Sequence, residues 1–164
     1  MSTIHRSFCA ALVSCAVAVQ FGTPAQAADE SPWNEDVRSA VRLIAGSNKA
    51  DDAVLRAGIE VKLRPGWKTY WRYPGDSGVP PHFDFTKSDN VEAVTILWPA
   101  PKQFPDGAGG TSLGYKNQVV LPLRIVVKNA DKPVVLRAAI NYAVCDKLCI
   151  PVEANAELPF ISVA

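Results

Sequence analysis

An all-β antiparallel sandwich is the fold class this sequence predicts. Val, Ile and Thr are frequent, strong helix formers are sparse and the chain carries thirteen prolines, a composition that suits sheet. Seven or eight short apolar runs are separated by Gly, Pro, Asn and Asp clusters, the spacing of strands and turns. No helix alternates with them, which excludes strand–helix–strand architectures and leaves a single-domain sandwich.

The first 27 residues stand apart from that pattern. Arg6 gives a positive start, Phe8 to Phe21 an apolar run and Ala25-Gln26-Ala27 a small-residue cleavage site, the layout of a secretory signal peptide. The run is too short for a comfortable membrane span, and no later stretch reaches about 18 apolar residues. Leu12-Val13-Ser14-Cys15 offers a lipoprotein processing site as the lesser alternative, because the apolar run continues past Cys15 instead of turning polar. The expected mature domain is therefore 28–164, exported and without stable membrane insertion. It keeps two cysteines, one histidine (His82) and no methionine, with 16 basic against 16 acidic residues. A neutral chain without a basic run gives no electrostatic reason to expect nucleic acid or an anionic membrane as partner.

Along the mature chain, Asp29 to Asn34 reads as loose. Val37 to Ile44 fits two periods: Val37, Val41 and Ile44 make a helical stripe, whereas Val37, Val41 and Leu43 alternate with Arg38 and Arg42 outside. Ser47 to Asp52 is a turn-rich loop. Gly58 to Leu63 alternates cleanly, Pro65-Gly66 punctuates it and Trp67 to Tyr73 resumes, which predicts a hairpin. Pro74 to Pro81 is irregular, Val91 to Trp98 is a strand and Pro99 to Gly114 is a long Gly- and Pro-rich loop. Val119 to Val127 is a strand interrupted by Pro122, a mark of an edge or a bulge. Val134 to Val144 alternates again, and Ala154 to Val163 closes the chain.

Candidate chemistry is limited by inventory. Gly75-Asp76-Ser77-Gly78 has the letters of a serine-protease nucleophile loop, but a Ser-His-Asp mechanism needs a base, and His82, five residues from Ser77, is the one mature histidine. A closed zinc site wants four Cys or His ligands and copper wants soft donors, so two thiols and one imidazole support at most copper carriage by the thiol pair. In the aromatic strand, Trp67, Thr69, Trp71 and Tyr73 share one face, read as core, while Lys68, Tyr70 and Arg72 share the other, read as solvated. An aromatic platform for sugar rings is the functional alternative for that strand.

Cys145 and Cys149 remain. The default for two cysteines in an exported chain is a structural disulfide, and a three-residue turn can bring the Cα atoms into the bridging range of about 4.4–6.8 Å. Closing so short a ring removes chain entropy worth about 2 kcal/mol, against about 4.7 kcal/mol for a hundred-residue loop. A staple gains more by joining distant segments, while a pair on a turn is an accessible dithiol, with Lys147 favouring a thiolate and Asp146 opposing it. Staple, redox pair and copper clip all stay open on the residues alone.

Pro65-Gly66-Trp67-Lys68-Thr69-Tyr70-Trp71-Arg72-Tyr73-Pro74-Gly75-Asp76-Ser77-Gly78, then Trp98-Pro99-Ala100-Pro101, Val120-Leu121-Pro122-Leu123 and Tyr142-Ala143-Val144-Cys145 through Cys149-Ile150-Pro151, resemble the N-terminal periplasmic domain of the DsbD and ScsB thiol:disulfide interchange proteins. The likeness spans about residues 37 to 160. It implies an immunoglobulin-like sandwich with the cysteines on a hairpin at one end, and no cofactor. It further implies a periplasmic domain that takes electrons from a membrane-embedded thiol reductase and hands them to periplasmic thioredoxin-like or isomerase proteins. By position, Cys149 would attack the partner's disulfide and Cys145 would resolve the mixed disulfide. Tyr70 would line the site, and Phe104, or the Gly-rich stretch up to Tyr115, would supply its cap. The three-residue cysteine spacing differs from the five of the best-known members. No membrane or thioredoxin domain is read in these residues, so the electrons are expected to come from a separate protein. A non-catalytic binding sandwich with a structural disulfide, or a copper carrier, is the alternative.

Overall fold

A computed structural model describes residues 28–48, 53–106 and 109–160. The leader, the end of the Ser47–Asp52 loop and the chain end beyond Phe160 lie outside the described residues. Two antiparallel sheets face each other, and no helix occurs among the described residues. The first sheet contains β1 (Asn34–Glu35), β2 (Ser39–Ala45), β3 (Val54–Leu63), β9 (Gln118–Val127) and β6 (Val91–Ile96), in that spatial order. The second runs β11 (Cys149–Phe160), β10 (Val134–Cys145), β4 (Lys68–Gly75), β8 (Thr111–Lys116) and β7 (Lys102–Pro105), with β5 (His82–Asp84) also on β10. This is the immunoglobulin-like sandwich expected.

Alternation explains the core. Val41, Leu43, Ile59, Leu123 and Ile125 point inward from the first sheet and meet Leu136, Ile140, Val144 and Leu158 from the second, all nearly or fully excluded from solvent. Each such side chain contributes about 1.5–3 kcal/mol on burial. The ambiguous Val37–Ile44 segment is strand, because Val41 and Leu43 bury together while Val37 is 80% exposed. Glu60, on the face opposite Ile59 and Val61, is buried as well, its carboxylate taking hydrogen bonds from Arg42 at 2.7 Å and Gln118 at 2.6 Å. Pro122, expected at an edge or a bulge, lies instead in a central strand, paired with Gly58 of β3, and the one register shift of β9 with β6 falls at Val126–Val127. Its carbonyl accepts from Leu97 N just past the end of β6, so the donor that proline lacks costs the ladder only its last bond on that side.

The predicted hairpin does not form. β3 pairs with β2 and β9, whereas β4 pairs with β10 and β8, so the link between them crosses from one sheet to the other. The reason lies in the turn. Trp67 N bonds to Arg64 O with Pro65 and Gly66 between them, Gly66 at φ 90°, the arrangement of a type II turn. Two-residue hairpins favour the primed turns whose twist matches paired strands; type II splays them. The Pro99–Gly114 segment, expected as loop, contains β7 and most of β8. Its Gly114 marks a close approach rather than a break, since a side chain there would collide with the carbonyl of Thr69. The last strand also starts earlier than expected, at Cys149, and pairs with β10 over twelve consecutive positions.

Candidate functional site

The β10–β11 ladder ends in the cysteine pair. Cys145 and Cys149 are its final partners, with Cα atoms 4.2 Å apart, and a disulfide joins them across Asp146, Lys147 and Leu148. The turn is held by a bond from Asp146 N to Leu148 O. The two sulfurs are unequal: Cys145 is 1% exposed, whereas Cys149 is open to solvent beside Leu148, itself 74% exposed. An exchange reaction needs one sulfur within reach of a partner and one withheld from it, and this end of the hairpin provides both.

Tyr70 reaches the pair from β4. It packs against Ala143 and Cys145 with only 4% of its surface exposed, and its hydroxyl lies 3.4 Å from Cys149 Sγ. A disulfide sulfur has no proton, so the hydroxyl is the donor. Burial raises the Tyr70 pKa above that of a free phenol and so keeps the donor protonated. The face assigned to solvent by alternation is thus partly buried, and Tyr73, assigned to the core, is 65% exposed. Tyr70 is buried because the loop at Gly78 lies over its ring, while Tyr73 falls within a shift in the β4–β8 register between Tyr70 and Gly75, which breaks the strict period there.

Two loops cover the tyrosine side of the site. Gly78, at φ 122°, lies so close to the Tyr70 ring that a Cβ would enter it. Asp76 clasps the next loop: its N–H donates to Thr111 O at 2.9 Å, and its carboxylate accepts from Thr111 N at 2.9 Å. Asp106 secures the other side by accepting from Gly110 N at 2.9 Å. The Gly-Asp-Ser-Gly run therefore works as a clasp. His82 lies apart from it on β5, opposite Asn141.

Lys68 was legible only as a solvated residue, although it shares a strand face with Tyr70. It pairs directly with Cys145 on one side and Lys116 on the other. Its ammonium donates to the fully buried Ser112 hydroxyl at 2.9 Å and stands 5.8 Å from the Tyr70 ring centroid and 5.7 Å from that of Phe104. Phe104 is half-buried on the edge strand β7, opposite Ser112, with Lys116 Nζ 4.7 Å from its ring centroid. Lys68 thus stands between Phe104 and the tyrosine that touches Cys149.

Residues 38–160 match the family described as thiol:disulfide interchange protein DsbD, N-terminal. The chain belongs to this family. The N-terminal periplasmic domain of ScsB from Proteus mirabilis is similar at 31% identity and a TM-score of 0.66, over 79% of this chain and 51% of that one. The chain thus spans about half the length of that ScsB domain. The DsbD N-terminal domain of Neisseria meningitidis in the reduced form aligns at 14% identity and a TM-score of 0.46, over 74% of this chain and 85% of that one. No curated protein matches the sequence. The sandwich is thus a DsbD N-terminal domain, and Cys145 and Cys149 are the cysteines it carries among the described residues.

Proposed function

We propose that this domain is a periplasmic electron relay, exported by a signal peptide cleaved near Ala27, with Cys149 as the attacking thiol and Cys145 as the resolving one. The observation that carries the reading is the asymmetry of the pair: one sulfur exposed under a tyrosine hydroxyl, the other buried behind it. A membrane-embedded thiol reductase would reduce the disulfide, leaving two thiols. The Cys149 thiolate then attacks one sulfur of an oxidised periplasmic thioredoxin-like or isomerase protein. The partner's S–S bond breaks, its leaving sulfur takes a proton and a mixed disulfide forms. Cys145, deprotonated, attacks the Cys149 sulfur; the intramolecular disulfide returns and the partner's second sulfur leaves and is protonated. Two electrons have moved to the partner. The Tyr70 hydroxyl donates to Cys149 sulfur when it is a thiolate, and the loops around Gly78 and Asp76 limit approach from the tyrosine side.

Replacing the resolving thiol, Cys145→Ala, should trap disulfide-linked adducts of periplasmic proteins through Cys149, and Cys149→Ala should trap none. Absence of any adduct, together with a pair that resists reduction down to about −300 mV, would reduce the disulfide to a structural staple.

A further inference from the structure

Beside the exposed sulfur, the outward face of the second sheet carries positive charge that the fold does not neutralise. Lys68 and Lys116 are directly opposed across β4 and β8, and Lys102, on β7, shares their face through its pairing with Gly114. Like charges in direct opposition destabilise a sheet. Among the described residues, no carboxylate ion-pairs with Lys68 or Lys116; the ion pairs present belong to Arg38, Arg42 and Arg137. Of the acids in the adjoining loops, Asp76 holds Thr111 N and Asp106 holds Gly110 N, and Asp146, next to Cys145, forms no ion pair with either lysine among the described residues. The Phe104 ring, within about 6 Å of both ammoniums, gives the shelf a flat apolar floor, and Leu148 adds an exposed apolar knob next to Cys149.

We propose that Lys68, Lys116 and Lys102, floored by Phe104, form a docking shelf for an acidic face on the protein whose disulfide Cys149 attacks; this rests on the exchange reading above. Complementary charge speeds encounter and selects partners more than it tightens the final complex. The shelf therefore sets which disulfides reach Cys149 rather than how the bond is exchanged.

The test uses the reduced Cys145→Ala protein and three synthetic peptides of one sequence. Each has a single cysteine activated as a 2-thiopyridyl disulfide and flanked by Glu, Gln or Lys. The Cys149 thiolate attacks the peptide sulfur, the bond to thiopyridine breaks, and 2-thiopyridone departs with the electron pair and a proton; its absorbance gives the rate. At low ionic strength the Glu peptide should react roughly tenfold faster than the Gln peptide and the Lys peptide more slowly, with the spread closing near about 0.5 M salt. Lys68→Met combined with Lys116→Met should bring the Glu-to-Gln ratio close to unity. Lys116→Glu, a single change at an exposed site, should favour the Lys peptide instead. If all three peptides react alike, or the ratio survives both variants, the shelf is overturned and the exchange reading stands. If no peptide reacts with Cys149, the exchange reading falls and the shelf with it.

Discussion

At the scale of single residues, the site turns on one hydroxyl. Tyr70 donates to Cys149 sulfur, and a hydrogen bond to the charged form lowers a thiol's pKa. Tyr70→Phe keeps the packing against Ala143 and Cys145 and removes only that donor. The Cys149 thiol pKa should rise, and alkylation of the reduced protein at neutral pH should slow roughly fivefold, since about 1 kcal/mol corresponds to that factor. A pH–rate profile identical to wild type would show that the hydroxyl has no part in activating the thiol. The cysteines and Tyr70 were legible in the sequence because their neighbours form a family-like framework. Lys68 was not, since nothing in a Lys-x-Tyr spacing says that the next strand brings a cysteine alongside. The burial of Tyr70 was hidden for a similar reason: alternation assigns a face, but not the loop that will cover it.

At the scale of elements, the loop from Gly75 to Gly78 is the part that sequence reasoning located but did not explain. Its glycines marked it as irregular. Its clasp to the start of β8 depends on a strand that the Gly- and Pro-rich composition concealed. Gly78→Ala tests the cover. The new Cβ would enter the ring of a tyrosine with no room to move, at a backbone angle that side chains rarely adopt. Strain of this kind costs on the order of 1–3 kcal/mol, so the urea midpoint should fall and Cys149 should become more reactive toward bulky disulfides. An unchanged midpoint would mean that the loop yields freely. The β3–β4 connection makes the complementary point. Both strands were legible, but whether Pro65-Gly66 folds them back as a hairpin or hands the chain to the other sheet depends on turn twist, which alternation does not record.

For the whole molecule, the fold class followed from strand alternation and turn punctuation, and the facing cores of Ile59, Leu123, Leu136 and Leu158 are what that alternation builds. Sheet membership was not legible, because it is decided by pairing between distant segments such as Lys62 with Gln118. The sandwich also buries three phenols. Tyr115 donates to Pro99 O at 2.8 Å and its pKa is pushed up to about 12 by burial; burial raises Tyr70 and Tyr142 in the same direction. A folded pKa above the unfolded value near 10 means that the neutral phenol favours the fold. That contribution is fully present below about pH 10 and is lost as the pH climbs through about 12. For Tyr115 alone it is worth about 2–3 kcal/mol. Urea melts should show wild type weakening between about pH 10 and 12, with Tyr115→Phe weakening less; parallel slopes would remove Tyr115 as the cause.

The twelve-position ladder between β10 and β11 has a thermodynamic consequence. Cys145 faces Cys149 as the last of twelve consecutive register partners, eleven of which have no covalent bond between their side chains. Around the cycle linking folding and oxidation, whatever the closed ring adds to the fold, the fold must return to the disulfide. Closing a ring this small limits that shared term to about 2 kcal/mol. Oxidation and folding are therefore only weakly coupled, because the twelve-position ladder and not the ring carries the register of the two strands.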